Sequence, residues 1–504
     1  MHPSPSPAEE AVAAGLADVR PSLGPSYAAA LDGARAAVLT RLWRALAFEP
    51  LPWIVGRECG PDGLALQLAG GARLEGPLPD PYATGPYVSE LLLDGRPYRQ
   101  PTRLVTALRV PHGEDFAAEL DGCTASLALS RAGRPAVAQE PAPRTTWEWE
   151  QRVVDGHPYH PNCRSRPGFS VAEQLAYAPE HRPEVELGLV AVRTEECLVT
   201  GDWPEGLRDR GRILVPVHPW QAAHVLKHER VGSGFAAHPL MALRTLAPAD
   251  GGAHVKTALS TRLTSSVRDI SVYSIETAAA VSAFAQGLTE RLDGRLHITR
   301  TLGAASAHSP DLAAVLREPP EVYADAAAGE RVLPVAALAM YAPARSAAWR
   351  AEFARLALSV CLRVLDLGVA LEAHGQNLLV VLSPTGAPLR LVYRDLADIR
   401  ISPARLARHG LPVPPLSGRL VTDDVAVLRR KLFGSLLTGA LGATAGSAAG
   451  FAEALAEAGS LPATADTEAL LTGPLPTKAL TLMRLSPGVP GDLWAELPNP
   501  LIAG

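Results

Sequence analysis

HVKTALSTRLTSSVRDISVY, residues 254–273, alternates short apolar runs with hydroxyl and basic side chains and reads as two strands around a polar turn. Lys256 and Arg268 sit on those strands, Thr264, Ser265 and Ser266 fill the turn, and Arg244-Thr245 lies shortly before. A cation buried in such a stretch needs an anionic partner. The one nearby carboxylate in sequence is Asp269. A triphosphate would supply the missing charge, with Arg gripping it bidentately and Lys acting as a point charge. A salt-bridged strand pair is the competing reading.

Towards the N-terminus, RILVPVHPW (212–220) reads as a buried strand ending at Pro219. Further back, Gly156-His157-Pro158-Tyr159-His160-Pro161 is followed by Arg164, Arg166 and Gly168. The prolines forbid a regular helix, so imidazoles and guanidinia sit on a stiff loop suited to phosphate or carboxylate. Residues 26–48 carry Ala and Leu at helical spacing. Between 51 and 145 the segments ALQLAG (65–70), RLVTALRV (103–110) and ASLALS (125–130) read as strands, and PAPRTTW (141–147) as a boundary.

Towards the C-terminus, residues 276–316 have a helical pattern interrupted by Pro310, and REPPEVYADAAAGERVLP (317–334) reads as a second boundary. A long helix is expected at about 343–367. NLLVVLS (377–383) and LRLVYRDL (389–396) read as a strand pair turning at PTGAP, and helices follow over 422–458. The expected division is 1–148, 149–332 and 333–504. Around the strand pair lie Glu372-Ala373-His374-Gly375-Gln376-Asn377 and Arg394-Asp395. Glu372, Asn377 and Asp395 offer oxygens for Mg²⁺, which bridges nucleotide phosphates. His374 can donate to a substrate carboxylate.

A chain of 504 residues is long for one core. A net charge of −5 favours neither nucleic acid nor an anionic membrane as partner. The five cysteines show no zinc-knuckle or C-x-x-C spacing, so a reduced, cytoplasmic protein is expected. The N-terminus lacks the basic and apolar regions of a signal peptide. LALSVCLRVLDLGVALEA (356–373) is broken by Arg363 and Asp366 and reads as a buried helix running into a strand, not a membrane span. His224 and His228 are four apart, but HVLKHE matches neither H-E-x-x-H nor its inverse and reads as surface. There is no G-x-S-x-G, Walker A or G-x-G-x-x-G motif.

Taken in order, the N-terminal helix, HPYHPNCRSRPGF, VPVHPWQ, LRTL, HVKTALSTRLTSSVRDIS, EAHGQNLLV, YRDL, TKALTLMRL and the closing NPL resemble the NRPS-independent siderophore synthetases of the aerobactin synthetase (IucA/IucC) type, over roughly residues 26–501. The resemblance implies a hand-like α+β fold of thumb, fingers and palm subdomains. It implies ATP, Mg²⁺, a polycarboxylate such as citrate, an amine or alcohol nucleophile, and a homodimer. By motif, His160, Arg164, Arg244, Lys256, Thr264 and Ser265 would meet ATP, with Gln376, Asn377 and Asp395. Arg268 would bridge the α-phosphate and the reacting carboxylate, and His374 would meet the carboxylate substrate. Glu372, Asn377 and Asp395 would hold the metal. A kinase-like phosphotransferase releasing ADP and a non-catalytic binding relative are the alternatives. Arg164 stands where the pattern has Lys, and Ala242 where a Ser is common. YSIETAAAVS (273–282) lacks the usual Gly-Pro.

Overall fold

The computed structural model describes residues 4–134, 142–226, 231–264 and 266–502. Ser6 and Glu9 cap the first helix reciprocally, α1 (Pro7–Val19), and Arg35 of α2 (Gly24–Phe48) closes on the buried Glu9 carboxylate at 2.6 Å. Five antiparallel strands follow in sequence order: β1 (Ile54–Gly60), β2 (Gly63–Leu68), β3 (Arg73–Gly76), β4 (Leu91–Leu93) and β5 (Arg96–Tyr98). Two helices, α3 (Pro101–Leu108) and α4 (Gly113–Ala132), complete this part, and Leu39, Trp43, Leu66, Leu120 and Leu127 share its core.

Two expected strands here are helices. RLVTAL (103–108) lies in α3, which Arg109 ends with a left-handed turn; Pro101 takes a first-turn position that needs no N–H, and Leu104 and Val105 turn inward. ASLALS lies inside α4, whose residues 123–130 are all buried. A helix that is apolar all round shows no 3.6-residue stripe, so a six-residue window of it imitates a strand.

After α5 (Thr146–Glu150) comes the second core, built on a nine-stranded antiparallel sheet. Its strands are β6 (Val185–Arg193), β7 (Leu198–Gly201), β8 (Arg208–Asp209), β9 (Arg212–Val217), β10 (Val231–Pro239), β11 (Thr245–Pro248) and β12 (His254–Thr257). The hairpin β13 (Leu259–Leu263) and β14 (Ser266–Arg268) stands apart, and β15 (Leu296–Ile298) joins a different sheet. Two late strands, β16 (Thr301–Ser306) and β17 (Ala313–Arg317), complete the order β7-β16-β17-β12-β11-β10-β6-β9-β8. The helical pattern of 276–316 therefore holds only as far as Thr289, where the helix Val272–Thr289 ends. Asp293 and Gly294 then turn with positive φ, and β17 is buried at four of five positions, which erases the alternation expected of a strand.

The third core surrounds the helix Ala347–Leu367. Beside it lie β18 (Arg331–Pro334), β19 (Val369–Ala370), β20 (Leu378–Leu382) and β21 (Pro388–Tyr393), the expected strand pair being β20 and β21. The sheet order is β15-β21-β20-β18, with β15 parallel to β21. A strand contributed by the middle of the sequence thus ties the two sheets together. The chain leaving β21 carries Asp395 to the side chains of Lys256 on β12 and Arg317 at the end of β17. No single described helix is long and apolar enough to cross a membrane.

Candidate functional site

A cavity of about 1200 Å³ opens where the middle and C-terminal parts meet the His-Pro loop. Its walls include His160, Arg164, Arg244, Lys256, Thr264, Arg268, Glu372, His374, Gln376, Asn377 and Asp395. Twelve residues were expected to form the site, and these eleven line one space. The twelfth, Ser265, lies outside the described residues, as does His228.

The loop is built by its own side chains. His157 Nδ1 accepts the backbone N–H groups of Tyr159 (3.2 Å) and His160 (3.1 Å). His160 Nδ1 accepts that of Asn162 at 3.0 Å. Gly156 closes the turn at φ +69°, where a Cβ would come within 2.5 Å of the Cys163 carbonyl oxygen. With Nδ1 engaged as an acceptor, the proton of neutral His160 is assigned to Nε2. Burial, aided by Arg484, Arg268 and Arg41, pulls His160 down to about 3, so it is neutral at pH 7. Its Nε2 has no partner, although the residue is only 2% exposed. It is a fixed, uncharged donor. His374 repeats the device, Nδ1 taking the N–H of Gln376 at 3.3 Å, and burial likewise lowers its pKa.

The cationic wall comes from the strands around the opening motif. Arg244 donates to the carbonyls of Arg268 and Asp269. Arg268 donates to Leu263 O and Thr264 Oγ1, both at 3.0 Å. Neither guanidinium makes an ion pair among the described residues. Burial and the neighbouring Arg268 lower Arg244 to about 10, and burial also lowers Arg268. Positive charge is thus held in the wall at a cost, which an anion would relieve. Leu243, Thr264 and Asp395 all take positive φ (66°, 55° and 74°), an unfavourable backbone state for residues with a Cβ that clusters here at the site.

Lys256 differs. Its ammonium sits 2.7 Å from Asp395, and Arg317 approaches the same carboxylate at 2.9 Å. Lys256 is therefore salt-bridged, with a partner 139 positions away in sequence and outside the strand pair, whereas Arg244 and Arg268 have no carboxylate partner among the described residues. Burial pulls Lys256 down to about 7 against the pull of Asp395. Burial also opposes the charge on Asp395, but Arg317 and Lys256 outweigh it and hold that carboxyl well below its usual range.

The floor is self-compensated. Glu372 accepts from Lys431 (3.3 Å) and Lys478 (3.2 Å), Lys431 also pairs with Asp398, and Lys478 also pairs with Asp492. Asn377 Nδ2 donates to the Glu372 carbonyl at 3.2 Å. Among the described residues no group of three or more His, Cys, Asp or Glu side chains converges as a metal site. Arg164 is likewise engaged, with Val153 O and Val154 O and 3.6 Å from Glu180, which Arg166 also reaches at 3.0 Å. It lines the cavity but is spoken for by the loop. Arg317, Lys431 and Lys478 were missed as site residues. Arg317 stands in a stretch that reads as a boundary, and only its place beside β12 reveals it.

Residues 145–340 match the model of the IucA / IucC family, and residues 347–465 match one described as a ferric iron reductase FhuF-like transporter. An uncharacterised protein of Sinorhizobium fredii is 27% identical over 355 residues, covering 55% of this chain and 56% of that one. The 2-[(L-alanin-3-ylcarbamoyl)methyl]-3-(2-aminoethylcarbamoyl)-2-hydroxypropanoate synthase of Staphylococcus aureus is 25% identical over 326 residues, covering 51% and 52%. These matches span about half the length of either relative. Among solved structures, the petrobactin biosynthesis protein AsbB of Bacillus anthracis superposes with a TM-score of 0.77 at 18% identity, covering 99% of this chain and 98% of that one. ATP-bound aerobactin synthetase IucA of Klebsiella pneumoniae gives 0.70 at 22%, covering 93% and 99%. The fold is theirs, an α+β arrangement throughout. The IucA / IucC family model thus lies on the cationic wall and the His-Pro loop, and the fold is shared end to end with these synthetase structures.

Proposed function

We propose that this protein is an ATP-dependent synthetase that activates a small polycarboxylate, citrate or a related acid, as its acyl-adenylate and joins it to an amine or alcohol. The observation that carries the reading is the pair of half-buried guanidinia, Arg244 and Arg268, without ion-pair partners among the described residues, in the same cavity as the unpartnered Nε2–H of His160. Such a wall suits two anions that must be brought together. The IucA / IucC family-model match over residues 145–340 and the named synthases among the relatives support the same class.

A carboxylate oxygen attacks the α-phosphorus, its bond to pyrophosphate breaks, and the amine or alcohol then attacks the acyl carbon to release AMP and a proton. Arg268 lies between the two anions and neutralises both, and Arg244 and Lys256 spread positive charge along the phosphates. His160 and His374 donate from fixed Nε2–H groups, to phosphate and to substrate carboxylate respectively. Thr264, Ser265, Gln376 and Asn377 supply polar contacts to the nucleotide. Positioning lowers the barrier further, by up to about 7–11 kcal/mol in well-oriented systems. No protein nucleophile is needed.

Mg²⁺ would accompany the nucleotide. The expected ligands do not fit a ready-made cage, because Asp395 and Glu372 are each held by two cations. Phosphate neutralisation within the protein therefore falls to the guanidinia and Lys256. The units 1–148, 149–332 and 333–504 serve as thumb, fingers and palm of a cytoplasmic homodimer in this reading.

The test is nucleotide product analysis with Mg-ATP, a panel of acids (citrate, 2-oxoglutarate, succinate) and hydroxylamine as surrogate nucleophile. AMP and pyrophosphate that appear only with one acid, together with its hydroxamate, are the expected result. ADP and phosphate would replace this reading with a phosphotransferase.

A further inference from the structure

The His-Pro loop is gripped from below by a helix that precedes it by more than a hundred residues. Arg41 of α2 is 5% exposed. Its Nε donates to the carbonyls of His157 (3.1 Å) and Pro158 (3.0 Å), and its Nη2 to that of Asp155 (3.2 Å). Its Nη1 returns to Ala37 O of its own helix at 3.1 Å. It makes no ion pair among the described residues. A guanidinium buried without a carboxylate is expensive, and here the compensation is a cage of carbonyls.

The neighbouring turn of α2 adds a second hold. Arg44 lies 4.3 Å from the centre of the Tyr159 ring and donates to Pro81 O at 2.7 Å. Fixing the His157 and Pro158 carbonyls fixes the His157 ring, whose Nδ1 then takes the N–H of His160. The positive charge of Arg41 also opposes protonation of both imidazoles. Arg41 thereby sets the place of the His160 donor and adds, after burial, Arg484 and Arg268, to what keeps it uncharged.

We infer that Arg41 is a positioning residue that connects the N-terminal part to the anion site and acts through His160. This rests on the function proposed above for that site. Lysine cannot substitute, because a single ammonium on a flexible stem does not match three carbonyls presented to a planar fork.

The test is a double-mutant cycle read by acid-dependent AMP release, with KM for ATP and kcat recorded separately and the thermal midpoint as a control for folding. Arg41→Ala and His160→Ala are each expected to lower kcat/KM by about 100-fold, the scale of a misplacement near 1 Å. The double variant should be no worse than His160→Ala alone. If Arg41→Ala does not fold, Arg41→Lys replaces it in the same cycle, with a loss of about tenfold that again vanishes in the His160→Ala background. Losses that multiply in the double variant would overturn the inference while leaving the proposed function intact. Wild-type activity in Arg41→Lys would do the same. A wild-type protein that releases no AMP would instead remove the functional reading on which the inference stands.

Discussion

The wall and the floor of the cavity are equally rich in charge and handle it in opposite ways. On the floor every acid meets a base: Glu372 with Lys431 and Lys478, Asp398 with Lys431 and Arg400, Asp492 with Lys478. On the wall Arg244 and Arg268 are held by backbone carbonyls and a hydroxyl. A compensated network is complete without a ligand and serves to shape the pocket. An uncompensated one is where the proposed function seats its anions. Lys256 and Asp395 stand at the seam, paired with each other across the two sheets.

Substitutions should separate the two regions. Arg268→Ala should leave the fold intact and reduce acid-dependent turnover by about 10²–10³-fold, the scale of losing one preorganised donor. Intact turnover would remove Arg268 from the role proposed for it. Asp395→Asn should do the reverse in part, lowering stability by about 3–5 kcal/mol because Lys256 and Arg317 lose their common partner. Chemical denaturation measures this, and added nucleotide should recover part of the loss. Glu372→Gln should lower stability by about 1–3 kcal/mol, as Lys431 and Lys478 keep their other partners. If its main effect were instead on turnover, the floor would not be mere framework.

The smallest effect expected is in pH. Lys256 loses its proton near 7 in the free site. A bound triphosphate favours the ammonium and raises that value. Nucleotide binding should therefore take up a proton above pH 7, and affinity should fall as pH rises through that window, by at most tenfold per pH unit. Calorimetry in buffers of different ionisation enthalpy reads the proton directly. His160, down at about 3, adds no inflection between pH 5 and 8. Stability has its own sign. The unfolded chain holds the lysine proton more tightly, so this group's contribution rises with pH between about 7 and 10.5.

Much of the site was legible because its residues lie in short polar motifs on or beside compact apolar strands, 254–268 and 377–396, although β12 and β20 are buried at every position and show no alternation. The helix at 347–367 announced itself by length. What the sequence hid was either apolar on every side, like residues 123–130 of α4, or paired over long range, like Lys256 with Asp395 and Arg317. The histidine tautomers had a faint local signal. In His160, His374 and His218 alike, Nδ1 takes the N–H two residues on. Arg41 had none, since it reads as one more polar position on an amphipathic helix.

The most direct test follows the oxygen. With the acid labelled by ¹⁸O in its carboxylates, attack on the α-phosphorus carries one labelled oxygen into AMP, and mass spectrometry of the released nucleotide detects it. The account predicts singly labelled AMP, lost in proportion to turnover in Arg268→Ala. Label in inorganic phosphate, with ADP as the nucleotide product, would place the attack at the γ-phosphorus and contradict it.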